Sequence, residues 1–298
     1  MTRPDKQTGY DMNKHEIYQK ITDFMVASLE RGVIPWQKPW NTSETAPRNI
    51  SGHIYRGVNI WMLLGQEYAS PFWLTFNQAV NLGGKIKKGE KGTIIVFWKI
   101  MKYEATDTAP EKTIPYLRYY YVFNVEQTEG IPEDKLPKTN LGDKLNFSPI
   151  ENCENILEAW DDKPNVKYGG SRAYYTPAHD YVQMPPVEDF VGAEEYYSVL
   201  FHEFVHSTGH HSRTNRHAKL SDHRFGSKDY SQEELVAELG AAYLCGMAGI
   251  ENSTIDNSAA YIKSWIKSLK NDPAMLLNAA GQAQKACDYI MQAETVTA

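Results

Sequence analysis

Apolar residues recur at helical spacing in several parts of the chain. Near the start, Ile17, Ile21, Met25 and Leu29 follow one another at intervals of four, which places them on one face of a predicted helix. Gly32 stands where that helix would end. Similar patterns predict two more helices over residues 56–69 and 75–84.

A different pattern follows these helices. Residues 85–92 form a basic, glycine-containing turn, and residues 93–105 are mainly β-branched and aromatic, which predicts a strand. Residues 114–128 have a similar composition and are predicted to be its antiparallel partner. The first half of the chain is therefore expected to contain helices beside a small antiparallel sheet.

The second half of the chain is predicted to be mostly helical, with one hairpin. We expect the hairpin over residues 165–186, with its turn at residues 177–180 and its end at two consecutive prolines. In the helix that starts near residue 231, we expect Ser231 to be the N-cap and Glu233 and Glu234 to lie in the first turn. The predicted helices cover residues 152–162, 193–209, 231–249, 258–273 and 273–293.

The segment between the two halves lacks periodicity. Residues 131–147 are polar and contain two prolines, so we predict an interdomain linker there. The expected fold class is α+β, with one domain over residues 1–130 and another over residues 148–298. A chain of 298 residues is long enough to hold two domains.

Charge is unevenly distributed between these halves. Residues 1–127 carry 16 Lys and Arg and 12 Asp and Glu, whereas residues 128–298 carry 15 and 25. The chain contains 3 widely spaced cysteines, which indicates neither a disulfide framework nor a cysteine metal site. It shows no apolar run of membrane-spanning length and no secretory signal, so we expect a cytoplasmic protein that does not bind membranes.

The helix predicted over residues 193–209 contains a His-Glu-x-x-His motif. His202 and His206 are four residues apart, so they lie on one helical face and can both bind one metal ion. Glu203 is the next residue round the helix and could take a proton from a metal-bound water. This spacing is typical of zinc metallopeptidases, and we expect one divalent metal ion here, zinc being the first candidate.

The third metal ligand is predicted from the next long helix. His211 is one residue short of the position that the extended motif His-Glu-x-x-His-x-x-Gly-x-x-His requires, and that position is occupied by Ser212. Glu234 and Glu238 share one face of the following helix, so one could bind the metal while the other supports a ligand histidine. We favour Glu234 as the ligand and leave the reverse assignment open.

The hairpin before the motif could form an edge strand beside the cleft, lined by Tyr174, Tyr175 and Asp180.

Aromatic and basic residues alternate in the first half of the chain. Aromatic rings and cations together are what a single-stranded nucleic-acid site requires. Composition alone still favours ordinary core and surface roles, because a net charge of +4 is modest, and Trp61 and Trp98 are expected in the core. The candidate nucleic-acid-binding residues are Trp36, Lys38, Arg48, Tyr55, Arg56, Lys85, Lys87, Lys88 and Lys91.

Several longer stretches occur together in a fixed order. They include "IPWQKPW", "YRGVNIWML", "WLTFNQAVNLGGKIKKGEKGTIIVFWK", "HEFVHSTGHHSRTNR" and "EELVAELGAAYL". In these stretches the chain resembles the ArdC family of plasmid antirestriction proteins, whose N-terminal domain is shared with TraC-type conjugative primases.

The resemblance implies a two-domain protein that protects incoming plasmid DNA during conjugation. Its N-terminal domain would bind single-stranded DNA without sequence specificity, and its C-terminal domain would be a zincin-like metallopeptidase domain. The metal ligands implied are His202, His206 and Glu234, with Glu203 as the general base. Ser207 departs from the family, where we expect a large aromatic residue, but this position is not a ligand.

Three hypotheses for function follow from the sequence. The first is antirestriction through single-stranded DNA binding, and the second is an active zinc protease that cleaves a host restriction enzyme or another DNA-associated protein. The third is a metal-stabilised partner-binding module without turnover. A nuclease or primase active site is not expected, because the sequence shows no carboxylate cluster or glycine-rich phosphate loop.

Overall fold

The computed structural model describes residues 12–37, 46–66, 68–103, 112–137, 149–219, 227–252 and 259–293. Its first half combines helices with short and long strands, as the sequence predicts. In chain order these are α1 (Lys14–Glu30), β1 (Arg48–Asn49), α2 (Val58–Leu64), β2 (Phe72–Leu74), α3 (Phe76–Asn81), β3 (Lys85–Ile86), β4 (Thr93–Tyr103), β5 (Lys112–Asn124) and β6 (Thr128–Glu129).

The local sequence fixes both ends of α1. The Asn13 side chain accepts a hydrogen bond from the Glu16 N–H, and the Glu16 carboxylate accepts one from the Asn13 N–H, which forms a capping box. Gly32 follows the helix with a φ of 76°, a left-handed conformation that favours glycine. Between these ends, Ile17, Ile21, Met25 and Leu29 are buried, so the predicted helix and its core face are confirmed.

The first half is built on a sheet with the strand order β1-β2-β5-β4. β4 and β5 pair antiparallel, from Thr93 opposite Val122 to Tyr103 opposite Lys112. Near the start of β4, one face of the hairpin packs into the main core through Ile94 and Val96. On the other face, Ile95 and Val122 pack against Leu63 and Trp73. A separate two-stranded ribbon pairs β3 with β6.

The second half surrounds a three-stranded sheet with helices. Its elements are α4 (Pro149–Glu158), β7 (Asn165–Tyr168), β8 (Tyr174–Thr176), β9 (Tyr181–Met184), α5 (Ala193–Ser207), α6 (Lys228–Ala248), α7 (Ala259–Asn271) and α8 (Ala274–Ile290). The predicted hairpin is confirmed over β8 and β9, which pair antiparallel, but its expected beginning at residue 165 is the separate strand β7. The sheet order is β7-β9-β8, because β7 pairs parallel with β9, a non-local pairing that the sequence pattern did not predict.

The start of α6 differs from the expectation. Ser227 is the N-cap and accepts a hydrogen bond from the Tyr230 N–H, whereas Ser231 lies buried inside the helix. Ser231 was the wrong choice because a second capping serine stands one turn earlier. As a result Glu233 and Glu234 lie in the second turn of α6 and not in the first.

Packing of α5 against α6 depends on a glycine. A Cβ added at Gly240 would lie 2.7 Å from a methyl carbon of Val205, closer than carbon atoms approach one another. Gly240 therefore lets α6 approach α5 closely. This contact places acidic side chains of α6 opposite the histidines of α5.

The two halves of the chain share one hydrophobic core. The Trp36 ring packs edge-on against Trp265 on α7, with the ring centroids 5.6 Å apart. The Thr22 hydroxyl donates a hydrogen bond of 2.9 Å to the Pro273 carbonyl, next to α8. The predicted domain boundaries remain predictions, since residues 138–147 of the linker lie outside the described residues. Within the described ranges, no helix is long and apolar enough to cross a membrane.

Candidate metal centre

The two motif histidines present their rings to one point beside α5. His202 and His206 are one helical turn apart, and their Nε2 atoms lie 3.1 Å from each other. Their side chains are mostly buried, with 13% and 14% of the surface exposed. Two imidazole nitrogens thus converge in a site that is shielded from water.

Glu234 of α6 approaches the same point from the opposite side. One carboxylate oxygen lies 3.6 Å from His202 Nε2, and the other lies 3.7 Å from His206 Nε2. A tetrahedral zinc site, with ligands about 2.0–2.2 Å from the ion, separates neighbouring ligand atoms by about 3.3–3.6 Å. The three side chains therefore fit a divalent cation and leave a fourth position open.

Within the described residues, these three side chains are the group of histidine and acidic residues that could hold a metal ion. His210 is not part of it: its Nδ1 lies 2.8 Å from the Ser212 hydroxyl. The short helical turn that follows α5 carries His210 away from the centre.

Glu238 lies behind His202, away from the converging nitrogens. One of its carboxylate oxygens is 3.7 Å from His202 Nδ1, and its side chain is 2% exposed. His202 Nδ1 is itself buried. The two acids of α6 thus take different positions, with Glu234 on the Nε2 side of the histidine pair and Glu238 on the Nδ1 side of His202.

Glu233 is a part of the centre that sequence reasoning missed. One of its oxygens lies 3.2 Å from His206 Nδ1 and 3.2 Å from His217 Nε2. Arg216 donates two hydrogen bonds to the same carboxylate, at 2.7 and 2.9 Å. The contact depends on how the loop after α5 folds back, so no helical spacing could have indicated it.

The loop after α5 is held in place by Arg216. Its guanidinium also donates 2.9 Å hydrogen bonds to the Val205 carbonyl and to the Thr208 hydroxyl. Gly209 is needed for this fold, because a Cβ there would lie 2.2 Å from the His217 ring. The loop therefore places the buried guanidinium of Arg216 against the Glu233 carboxylate, which contacts His206.

Glu203 lies next to the metal-facing histidines and is 8% exposed. The backbone N–H of Tyr175 on β8 lies close to the Glu203 carboxylate. Burial raises the pKa of Glu203, and the nearby His202 and His206 only partly oppose that rise. A carboxylate with a raised pKa is suited to accept and return a proton near neutral pH.

Charges at the centre compensate one another. Burial alone would lower the pKa of His206, but Glu234 and Glu233 outweigh it and hold that pKa well above its usual value. Burial alone would raise the pKa of Glu234, yet His206 and His202 keep it far below its usual value. Metal binding requires unprotonated imidazoles, so a cation and protons compete for these side chains.

β8 forms the edge of its sheet and lies against α5. The Tyr175 hydroxyl donates a 2.7 Å hydrogen bond to Asp180, which also accepts two hydrogen bonds from Arg213, at 2.8 and 2.9 Å. Tyr174 is 44% exposed on the same strand. Tyr175 and Asp180 thus connect the hairpin to the loop after α5 and fix the strand that contacts Glu203.

The structure separates the residues predicted to bind nucleic acid into two sets. Lys85, Lys87, Lys88 and Lys91 share one exposed basic turn between the ribbon and the long hairpin. Lys85 pairs with Glu129 at 3.2 Å, and the Lys87 amino group donates a hydrogen bond to the Glu126 carbonyl. These four lysines form a cationic surface.

The other predicted residues are not on that surface. Trp36 is 1% exposed and presents no free ring face. Arg56 pairs with Asp288 of α8 at 2.5 Å, while Tyr55 is half-buried, and burial raises its pKa to about 12. Arg48 is half-buried, with its Nε 3.2 Å from the Ala46 carbonyl. Lys38 lies outside the described residues.

The two tryptophans expected in the core differ in solvent exposure. Trp61 is 2% exposed, as predicted, but Trp98 is 43% exposed, so that expectation was wrong. The apolar pattern of β4 continues beyond the part of the hairpin that the core covers. Alternation alone does not show where along a strand the core ends.

Two family models match separate parts of the chain. The family described as zincin-like metallopeptidase matches residues 151–282, and the N-terminal domain of anti-restriction factor ArdC matches residues 15–123. Crystal structures of the antirestriction ArdC protein from plasmid R388 have the same fold, with a TM-score of 0.74 and 38% identity. The metal-free structure aligns over 95% of this chain and 97% of that one, and the Mn(II)-bound structure over 93% and 98%.

Two further relatives, compared by sequence, also match nearly the whole chain. The uncharacterized protein y4eC of Sinorhizobium fredii (strain NBRC 101917 / NGR234) is 33% identical over 92% of this chain and 91% of its own length. A DNA primase TraC of Escherichia coli is 32% identical over 94% of this chain. The chain spans 27% of the length of that primase and 20% of a second one from the same species.

Proposed function

The chain belongs to the ArdC family of antirestriction proteins, and from this we propose that it binds single-stranded DNA non-specifically and protects incoming plasmid DNA during conjugation. The observation that carries the proposal is the alignment of both halves, at 38% identity, with nearly the whole R388 antirestriction protein. The positive first half of the chain supports a DNA partner, and we propose that the protein acts in the cytoplasm, where incoming DNA meets restriction enzymes.

An antirestriction assay tests this proposal directly. A plasmid encoding the protein and an otherwise identical plasmid without it are conjugated into restricting and non-restricting recipients. We expect the protein to raise transfer into restricting recipients and to leave transfer into non-restricting ones unchanged. Equal restriction of both plasmids would rule out the proposal.

We further propose that His202, His206 and Glu234 hold one divalent cation, with zinc as the first candidate. Two imidazoles and a carboxylate suit zinc and also accept manganese, the ion in the R388 structure. Glu238 would support His202, and Glu233 would fix the orientation of the His206 ring. The identity of the ion can be measured by elemental analysis of the protein purified without added metal.

A second candidate function is proteolysis, which the position of Glu203 favours. When bound, the cation would acidify a water molecule and polarise a peptide carbonyl. Glu203 would take the proton of that water on its carboxylate and pass it to the leaving amine. The edge strand β8 could pair with an extended substrate, such as a segment of a host restriction enzyme or another DNA-associated protein.

The variant Glu203→Gln separates the two functions. The amide keeps the size of the side chain and leaves the proposed ligands intact, but it cannot accept the proton. If antirestriction requires proteolysis, the variant should bind metal normally and fail to protect the plasmid. Full protection by the variant would show that proteolysis is not the mechanism.

A further inference from the structure

The long hairpin of the first half has an unusual composition. Of the side chains in β4 and β5, eight are aromatic, four are lysine or arginine, and none is acidic. The acidic residues near this hairpin in the sequence lie outside the strands: Glu90 precedes β4, Glu126 follows β5, and the others are in the connecting segment 104–111, outside the described residues. The strands themselves are therefore both aromatic and positively charged.

One face of the hairpin presents several of these side chains together. Tyr116, Arg118 and Tyr120 alternate along β5 and so point to the same side of the sheet. Phe97 stands opposite Arg118 on β4 and shares that side. Tyr116 is 48% exposed and Tyr120 is 38% exposed. We call these four residues the aromatic platform.

Contacts within the aromatic platform hold its rings in order. The Phe97 and Tyr120 rings are stacked with centroids 4.8 Å apart and planes only 4° from parallel. The Arg118 guanidinium lies over the Tyr116 ring, 4.7 Å from its centroid. The rings are therefore positioned before any ligand arrives, and a cation stands between them.

The aromatic platform begins where the core stops covering this face of the sheet. Further down the same face, Ile95 and Val122 are buried against Leu63 and Trp73. Beyond them the rings face solvent, where exposed aromatic surface gains nothing from burial. A patch of this kind is typical of a binding site.

Positive charge extends to the other face of the hairpin. Lys14 lies over the Trp98 ring at 5.2 Å, and Lys20 lies over the Tyr121 ring at the same distance. Both lysines come from α1, which packs beside the hairpin. An anionic partner would thus meet cations on both sides of the two strands.

We propose that the aromatic platform is the surface on which this protein stacks the bases of single-stranded DNA. Bases would stack on Tyr116 and Tyr120, and Arg118 would contact a phosphate between them. The inference rests on the proposed binding of single-stranded DNA and gives it a location, one that differs from the basic turn at residues 85–91. Duplex DNA would be excluded, because its bases are already stacked on each other.

The charge of the strands favours nucleic acid over a protein partner. Tyrosine and arginine are also common at protein interfaces, but two strands with only positive charges require an anionic surface. Single-stranded DNA supplies both parts that the aromatic platform can bind, a flat base and a phosphate. It does so for any sequence, because every base has a flat face.

The experiment compares full-length variants in binding to a fluorescent oligothymidylate. Tyr116→Ala and Tyr120→Ala should each weaken binding about tenfold, because a lost stack on a base costs roughly 1–3 kcal/mol. Tyr116→Phe and Tyr120→Phe keep the rings and should bind like the wild type. Tyr168→Ala, at a tyrosine on β7 that is 55% exposed, is the control for loss of any surface ring. Thermal unfolding checks that each variant is folded.

A second measurement locates the DNA without substitution. An oligonucleotide with 5-bromouracil is crosslinked to the wild-type protein by light, and the attached peptides are identified by mass spectrometry. We expect crosslinks to residues 116–120. Crosslinks confined to residues 85–91, with normal binding by the alanine variants, would overturn the aromatic platform while leaving DNA binding intact. If the wild-type protein binds no single-stranded DNA, the proposed function itself fails, and the inference with it.

Discussion

Glu234 and Glu238 are one turn apart on α6, yet they approach opposite nitrogens of His202. The sequence could place both acids on one helical face, because a spacing of four residues does so in any helix. It could not decide which acid faces the metal, because that depends on how far α6 is displaced along α5. Gly240, whose missing side chain lets α6 approach Val205 of α5, is one determinant of that packing.

This difference predicts unequal effects of the same substitution. Glu234→Gln removes a proposed ligand, whereas Glu238→Gln removes a group that supports one, which typically costs about 10–100-fold in metal affinity. We expect a larger loss for Glu234→Gln, measured by competition with a chelator. Glu158→Gln, an exposed acid of α4, is the control. A larger loss for Glu238→Gln would reverse the assignment of the two acids.

Substitution of the single residue Arg216 is expected to lower the stability of the protein. Its side chain is 7% exposed and pairs with Glu233, so Arg216→Met leaves a buried carboxylate without its main partner. Removing one member of such a pair costs about 3–5 kcal/mol. Urea unfolding should show this loss in the metal-free protein, whereas Arg172→Met at an exposed position should not.

The double variant Arg216→Met, Glu233→Met gives the control for this argument. With both charges removed, no carboxylate is left buried and unpaired, so the double variant should be more stable than Arg216→Met alone. Equal or lower stability would mean that the arginine acts through its contacts with Val205 and Thr208 instead.

Among the elements, the β8–β9 hairpin depends on one ion pair. Asp180 has a φ of 48°, which asparagine adopts readily, so Asp180→Asn removes the charge without straining the turn. Arg213 then loses a bidentate partner, and we expect the free energy of unfolding to fall by about 1 kcal/mol at pH 7. Partial exposure of Asp180 keeps this value small.

The same pair predicts a dependence on pH. Partial burial alone would raise the pKa of Asp180, but hydrogen bonds from Arg213 and Tyr175 outweigh it and lower that pKa. The contribution of Asp180 to the free energy of unfolding is therefore complete at pH values above its pKa in the unfolded chain, about 3.9. It is lost as pH falls through the lower pKa of the folded protein. Urea unfolding should show the gap between wild type and Asp180→Asn closing below pH 4, and a constant gap would contradict the ion pair.

Elements were predictable from the sequence where local pattern determines them. The helices and the β4–β5 hairpin follow from periodicity, and Gly32 marks the end of α1 as predicted. The parallel pairing of β7 with β9 was missed, because it joins segments whose partners are chosen by the whole fold. Trp98 was misplaced for a related reason: a strand pattern continues past the edge of the core.

For the whole molecule, the distribution of charge predicts how DNA binding responds to salt. Single-stranded DNA releases about 0.7 counterions for each phosphate that the protein neutralises. If the four lysines of the basic turn and Arg118 neutralise about five phosphates, the logarithm of affinity should fall with the logarithm of salt with a slope near −3.5. A titration of oligothymidylate binding at several salt concentrations measures this slope.

Matched lysine variants test which cations contribute. Lys88→Gln in the basic turn should reduce the magnitude of the slope by about 0.7, whereas Lys267→Gln on α7 should leave it unchanged. An affinity that does not vary with salt would exclude phosphate contacts altogether.

The core shared between the two halves has a thermodynamic consequence. Because α1 and Trp36 pack against α7 and α8, neither half can unfold without exposing apolar surface of the other. A ligand at 100 times its dissociation constant stabilises a folded protein by about 2.7 kcal/mol, and here that linkage is expected to reach the whole chain. Amide hydrogen exchange should therefore slow in β5 as well as in α5 when the cation is added. If so, metal supply controls how long the DNA-binding half survives in the cell, although every proposed ligand of the metal lies in the other half.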